Sequence, residues 1–164
     1  MPGITAALAC AAETGIPLTH RDTARMVTLA TGHTRDGRLD LDFAALACGG
    51  QTIAVYMGLT TLPALRGGLV AAGLDASTPA AIVENGGSGR ARTMTGTLAS
   101  IAQDAKGWAS GSPVLVLVLV GDVVRHRPIA LDAACFTSSL GGARKVRSAS
   151  RLRENALDGS LRCC

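Results

Sequence analysis

The chain has 164 residues, 48% of them hydrophobic and 17% charged, which fits one ordinary domain with a buried core and excludes a disordered chain. Aromatics supply only 2%, so the core is built from Ala, Val, Leu and Ile, and an RNA-binding sheet or base-stacking platform lacks its rings. Of the net charge of +4, +3 falls beyond residue 130, on Arg144, Lys145, Arg147, Arg151, Arg153 and Arg162 against Asp132, Glu154 and Asp158; the body has no nucleic-acid footprint.

In chain order, Ile4 to Glu13 is an alanine-rich helix ended by Gly15 and Pro17. Gly15 to Asp22 is a loop by composition. Met26 to Ala30 is a short strand closed by Thr31-Gly32-His33, and Thr34 to Leu41 is polar with a turn at Asp36-Gly37. Asp42 is a plausible N-cap for a helix to Cys48. Gln51 to Met57 reads as a buried strand stopped by Gly58. Leu62 to Ala72 is helical, with Pro63 in its first turn and Gly73 as its stop. Pro79 to Glu84 is a strand, the loop Asn85 to Gly89 follows, and Arg92 to Thr95 pairs as a further strand. Thr97 reads as the N-cap of a helix over Leu98 to Trp108. Pro113 to Val120 is the clearest strand, its Val/Leu run suiting a position covered on both faces. Beyond Arg127-Pro128 the pattern dissolves, and residues 131–164 read as a basic, poorly ordered tail. Alternating strands and helices make an α/β domain with a mixed β-sheet flanked by helices.

No apolar run approaches the ~18 residues of a membrane-spanning helix, and no basic-then-apolar signal peptide opens the chain. A cytoplasmic protein is the expectation. The five cysteines are an odd number without CxxC spacing, so a zinc site and a disulfide framework are poor readings. His20, His33 and His126 show no i, i+4 pair, and no metal is expected. No GxSxG elbow supports a serine triad.

In open α/β sheets ligands bind beyond the carboxyl ends of strands. Three such ends carry glycine: Thr31-Gly32-His33, Tyr56-Met57-Gly58 and Glu84-Asn85-Gly86-Gly87. The loop Gly86-Gly87-Ser88-Gly89 invites a phosphate-cradle reading, but it lacks GxxxxGK[ST] and precedes a strand, so a plain turn is preferred. On these residues alone the chain is a small-molecule-binding α/β domain.

The same segments carry a family likeness. Pro2 to Ala7, Gly15 to Arg21, Val27 to His33, Asp40 to Asp42, Val55 to Leu59, Val83 to Gly86, Gly96 to Leu98 and Gly121 to Val124 stand in the order seen in uroporphyrinogen-III C-methyltransferases. From about Pro2 to Arg127 the chain resembles the second domain of these tetrapyrrole methylases. The resemblance implies two α/β domains with S-adenosylmethionine between them, and methyl transfer to ring carbons of uroporphyrinogen III for sirohaem and cobalamin. It assigns cofactor contacts to Thr5, Ala6, Met57 and Gly86. His20, Arg21 and Arg25 become candidate partners for the substrate's carboxylates. No catalytic residue is assigned.

The family's first domain, with its glycine-rich entry loop, has no counterpart here. The division that follows is an interdomain helix and loop over 1–24, the carboxyl-terminal α/β domain over 25–130, and the tail over 131–164. A lone half supplies one wall of the cleft, and weak or no activity is expected of it. Alternative readings are a non-catalytic half that dimerises or complements a separate first-domain chain, a related corrin-precursor methylase, and a nucleic-acid-binding tail.

Overall fold

The structure, a computed structural model, describes residues 3–32, 39–108 and 116–128. In chain order it contains helix α1 (Ala6–Thr14), strand β1 (Met26–Thr31), helix α2 (Phe43–Leu46), strand β2 (Gln51–Tyr56) and helix α3 (Leu62–Ala71). Strands β3 (Pro79–Glu84) and β4 (Arg92–Thr97), helix α4 (Ile101–Asp104), strand β5 (Val116–Val120) and a 3-10 turn over Asp122–His126 follow.

Local chemistry explains the element ends. Gly15 closes α1 in the left-handed conformation at φ 71°, its N–H donating to the Ala11 carbonyl at 2.9 Å. The Asp42 carboxylate accepts the Ala45 N–H at 3.0 Å, capping α2 as its position suggested. Pro63 sits in the first turn of α3, where its missing N–H leaves no bond unmade.

The five strands of the described residues lie in the order β1-β2-β5-β3-β4. β1 runs parallel to β2, from Met26 beside Gln51 to Thr31 beside Tyr56. β5 is antiparallel to both β2 and β3, and β4 returns antiparallel along β3. β1, β2 and β3 therefore point the same way, and their carboxyl ends share one edge of a mixed sheet. All five residues of β5 are buried, the outcome that its unbroken apolar run required.

Side chains alternate along the strands and so divide the core in two. On one face Ile53, Val55, Ile82, Val118 and Val120 meet Leu46 of α2, Leu62, Leu65 and Leu69 of α3, and Ile101 of α4. On the other face Ala54, Ala81, Val83, Leu117 and Leu119 meet Ala7 and Cys10 of α1 and Val123 and Val124 of the 3-10 turn. Alanines on both partners let α1 lie close to the sheet. The core is aliphatic, as the scarcity of rings dictated.

Two expected helices are shorter: the one expected to reach Cys48 ends at Leu46. The helix expected over Leu98 to Trp108 is confined to Ile101–Asp104, and Thr97 is the last residue of β4, opposite Pro79. Leu98 and Ala99 donate to the carbonyls of Thr78 and Ala76, both at 2.8 Å, which holds them to the approach of β3 and delays the helix to Ser100. The Asp36-Gly37 turn, the first residues of the Pro113 strand and the tail lie outside the described residues. No helix among those described is long and apolar enough to cross a membrane.

Leu119→Ala opens a cavity beneath α1 in the central strand; urea unfolding should register a loss of about 2–5 kcal/mol.

Candidate functional site

The shared carboxyl edge of β1, β2 and β3 concentrates the strained backbone. Among the described non-glycine residues, Met57 (φ 54°) and Asn85 (φ 58°) have positive φ, each the first residue beyond a strand. Left-handed backbone costs about 1–3 kcal/mol at such a residue, and least at Asn, so Met57 is the more strained. Met57 is 50% exposed, while its N–H donates to the Val116 carbonyl at 2.9 Å. At the β1 end, Gly32 donates to the Tyr56 carbonyl at 2.7 Å and accepts from the Thr61 hydroxyl at 2.8 Å. A Cβ on Gly32 would stand 2.6 Å from the Gly58 Cα, so two main chains touch there.

At the β3 end the Glu84 carboxylate is buried and accepts from Arg92 at 3.1 Å. Arg92 also donates to the Trp108 carbonyl at 3.2 Å and lies 4.8 Å over the Trp108 ring. These contacts fix where β3 ends and β4 begins, and so frame the loop at Asn85 and Gly86.

Helix α1 is fastened to two of these strand ends. Near its start, the hydroxyls of Thr5 and Tyr56 are hydrogen-bonded, and the Ala7 N–H donates to the Tyr56 Oη at 3.2 Å. In its middle, Cys10 packs on Gly86, where an added Cβ would meet Cys10 Sγ at 2.1 Å. Near its end, the Glu13 carboxylate accepts the N–H groups of Gly87 at 2.5 Å and Ala91 at 3.2 Å. Burial, reinforced by the Glu13 charge, pushes the Cys10 thiol up to about 11. Cys10 is therefore a packing thiol and not a nucleophile at neutral pH.

Of the residues singled out in the sequence, Thr5, Ala6, Met57 and Gly86 gather on this edge. His20, Arg21 and Arg25 do not. Arg25 immediately precedes β1 and donates its N–H to the Gly50 carbonyl at 2.8 Å, which sets it at the amino ends of β1 and β2. His20 stacks on His126 at a centroid distance of 4.0 Å, beyond the far end of β5. Its Nδ1 accepts the Asp22 N–H at 3.3 Å. Arg21 is exposed beside it. A six-residue strand separates these residues from Met57, about 17 Å at 3.3–3.4 Å per residue. His33 lies outside the described residues. The Gly86 to Gly89 loop leads into β4, and Glu13 already binds the Gly87 N–H, so it is the plain turn preferred above. No three His, Cys, Asp or Glu among the described residues gather as metal ligands do.

The model of the Tetrapyrrole (Corrin/Porphyrin) Methylases matches residues 1–102. The chain belongs to the tetrapyrrole methylase family. It is 55% identical over 130 residues to the siroheme synthase of Gluconacetobacter diazotrophicus and 52% identical over 130 residues to that of Gluconobacter oxydans. Each alignment covers 79% of this chain and 27% of the relative, so the chain spans about a quarter of those proteins. Among solved structures, the uroporphyrin-III C-methyltransferase of Thermus thermophilus complexed with S-adenyl homocysteine superposes with a TM-score of 0.60 at 29% identity, covering 76% of this chain and 52% of that one. The cobalamin biosynthetic cobalt precorrin-4 methyltransferase shares the fold, with a TM-score of 0.65 at 21% identity.

Two residues that tie this edge together escaped the sequence. A threonine before a helix reads as an ordinary cap, and nothing local shows that Tyr56 stands in for it. Glu13 did leave a trace: a carboxylate in a last helical turn opposes the helix dipole and calls for a donor elsewhere.

Gly86→Ala drives a methyl into Cys10 and should cost about 1–3 kcal/mol in denaturant unfolding. Removing Sγ by Cys10→Ala in the same chain should return part of that loss. In the native chain Cys48 should alkylate at pH 8 while Cys10 stays unmodified. Because the folded Cys10 ionises later than an unfolded thiol, stability should decline as pH rises from about 9 towards 11.

Proposed function

We propose that this chain forms part of an S-adenosylmethionine-dependent uroporphyrinogen-III C-methyltransferase, acting on tetrapyrrole ring carbons in sirohaem and cobalamin formation. One observation carries the reading. Thr5, Ala6, Met57 and Gly86 converge on the single sheet edge where Met57 and Asn85 hold left-handed backbone. The homologous siroheme synthases and the Thermus thermophilus methyltransferase support it.

The residues fit the donor. The thioether of the half-exposed Met57 offers a polarizable surface to an adenosyl or methionyl group. The bare main chain at Gly86 and the first turn of α1 offer polar groups at close range. Bound, the donor supplies an electrophilic methyl on a sulfonium. The work of this chain is to orient that group and exclude water, since in-line displacement gains chiefly from alignment. Domain 25–130 with the 1–24 segment supplies one wall, and residues outside these 164 supply the other, in the same polypeptide or in a partner.

A titration of the isotopically labelled 164-residue chain with S-adenosylhomocysteine tests the wall. Amide shifts should cluster at Thr5, Ala6, Met57 and Gly86 and leave positions 20, 21 and 25 unmoved. Shifts scattered over the sheet, or none, reject the reading. The proposal that His20, Arg21 and Arg25 meet substrate carboxylates is checked separately with uroporphyrin III, and unmoved amides at those three positions retire it. With S-adenosylmethionine and uroporphyrinogen III, these 164 residues alone should form methylated product orders of magnitude more slowly than a full-length siroheme synthase.

A further inference from the structure

We infer that Tyr56 is a positioning residue for the donor wall: its hydroxyl fixes Thr5 and the first turn of α1 against the strand end that carries Met57. The inference rests on the donor-binding reading above and gives a role to Tyr56, which the sequence and the family likeness placed in a strand-end motif without one.

Thr5 occupies the N-cap position of α1, with extended backbone at φ −63° and ψ 140°. A threonine there ordinarily accepts an N–H of its own first turn. Thr5 makes no such bond, and its hydroxyl instead meets the Tyr56 hydroxyl. The Ala7 N–H, a usual recipient of the cap, donates to Tyr56 Oη at 3.2 Å. The cap of α1 thus comes from a residue 49 positions away.

The helix gains little from this exchange, because Thr5 could cap it unaided. What the exchange accomplishes is a tie between two parts of the proposed wall. Tyr56 is the last residue of β2, and Met57 follows it directly. Anchoring Thr5 to Tyr56 sets the spacing of Thr5 and Ala6 from Met57, two segments that no backbone hydrogen bond joins directly. The Tyr56 ring packs against the α1-side core, so a phenyl ring would fill the same place. The hydroxyl alone makes the tie.

Tyr56→Phe separates the two roles. Without its partner, Thr5 can turn its hydroxyl back to the Ala7 N–H, and the unliganded melting temperature should stay within about 3 °C of the native value. The dissociation constant for S-adenosylhomocysteine, read from amide shifts, should rise about tenfold. Thr5→Val should bring a similar rise, Thr5→Ser little, and Tyr56→Phe with Thr5→Val no more than either alone. Native affinity in Tyr56→Phe overturns the inference while leaving the donor reading intact, and so does a double variant whose losses multiply. If Tyr56→Phe melts far lower, its affinity is read well below its own midpoint, where its amide spectrum is that of the folded chain, and native affinity there overturns the inference. A native chain that shows no shifts overturns the donor reading and this inference together.

Discussion

The proposed site depends on one short helix tied across two strand ends. Tyr56 holds the start of α1 to the end of β2, and Glu13 holds its finish to the loop beyond β3. Between them the smallest side chain available lets Cys10 settle on Gly86. These contacts are modest singly, since hydrogen bonds contribute about 0.5–1.5 kcal/mol each. Their placement gives them weight. They bring together three segments, at positions 5, 57 and 86, that the sheet alone would leave at separate strand ends.

This arrangement also accounts for tolerated strain. A methionine in left-handed backbone is unfavourable on its own. Met57 is kept there by a bond to the Val116 carbonyl on one side, while Tyr56 is locked to α1 on the other. The surrounding contacts over-determine its conformation, and the residue is left half-exposed.

Much of the fold was legible because the informative signals were local. Gly15, Asp42 and Pro63 each act within a turn of their own position, and β5 declares itself through five apolar residues without a polar face. The helix beginning at Thr97 misled for the opposite reason. Its first residues are held by carbonyls of Ala76 and Thr78, some 20 residues earlier, and no local propensity reports such a tether. The site divides in the same way. Glycines and a methionine after strands mark the carboxyl edge as a candidate, whereas the partnership of Thr5 with Tyr56 spans 51 positions and has no local signature. The cationic trio at 20, 21 and 25 stands out by its charge, which carries no information on position. Strand direction sets it at the amino ends of β1 and β2, opposite that edge.

Among the described strands, the last in sequence is the middle one. β5 separates β2 from β3, so β1 with β2 and β3 with β4 form two neighbouring pairs with no ladder between them until residues 116–120 arrive. Before residues 116–120 are available, this pairing order leaves the two pairs without a shared ladder. Such late closure by a distant segment slows folding and opens a window for misassociation. A nascent chain stalled before Val116 would hold both wings of the sheet and lack the seam that joins them.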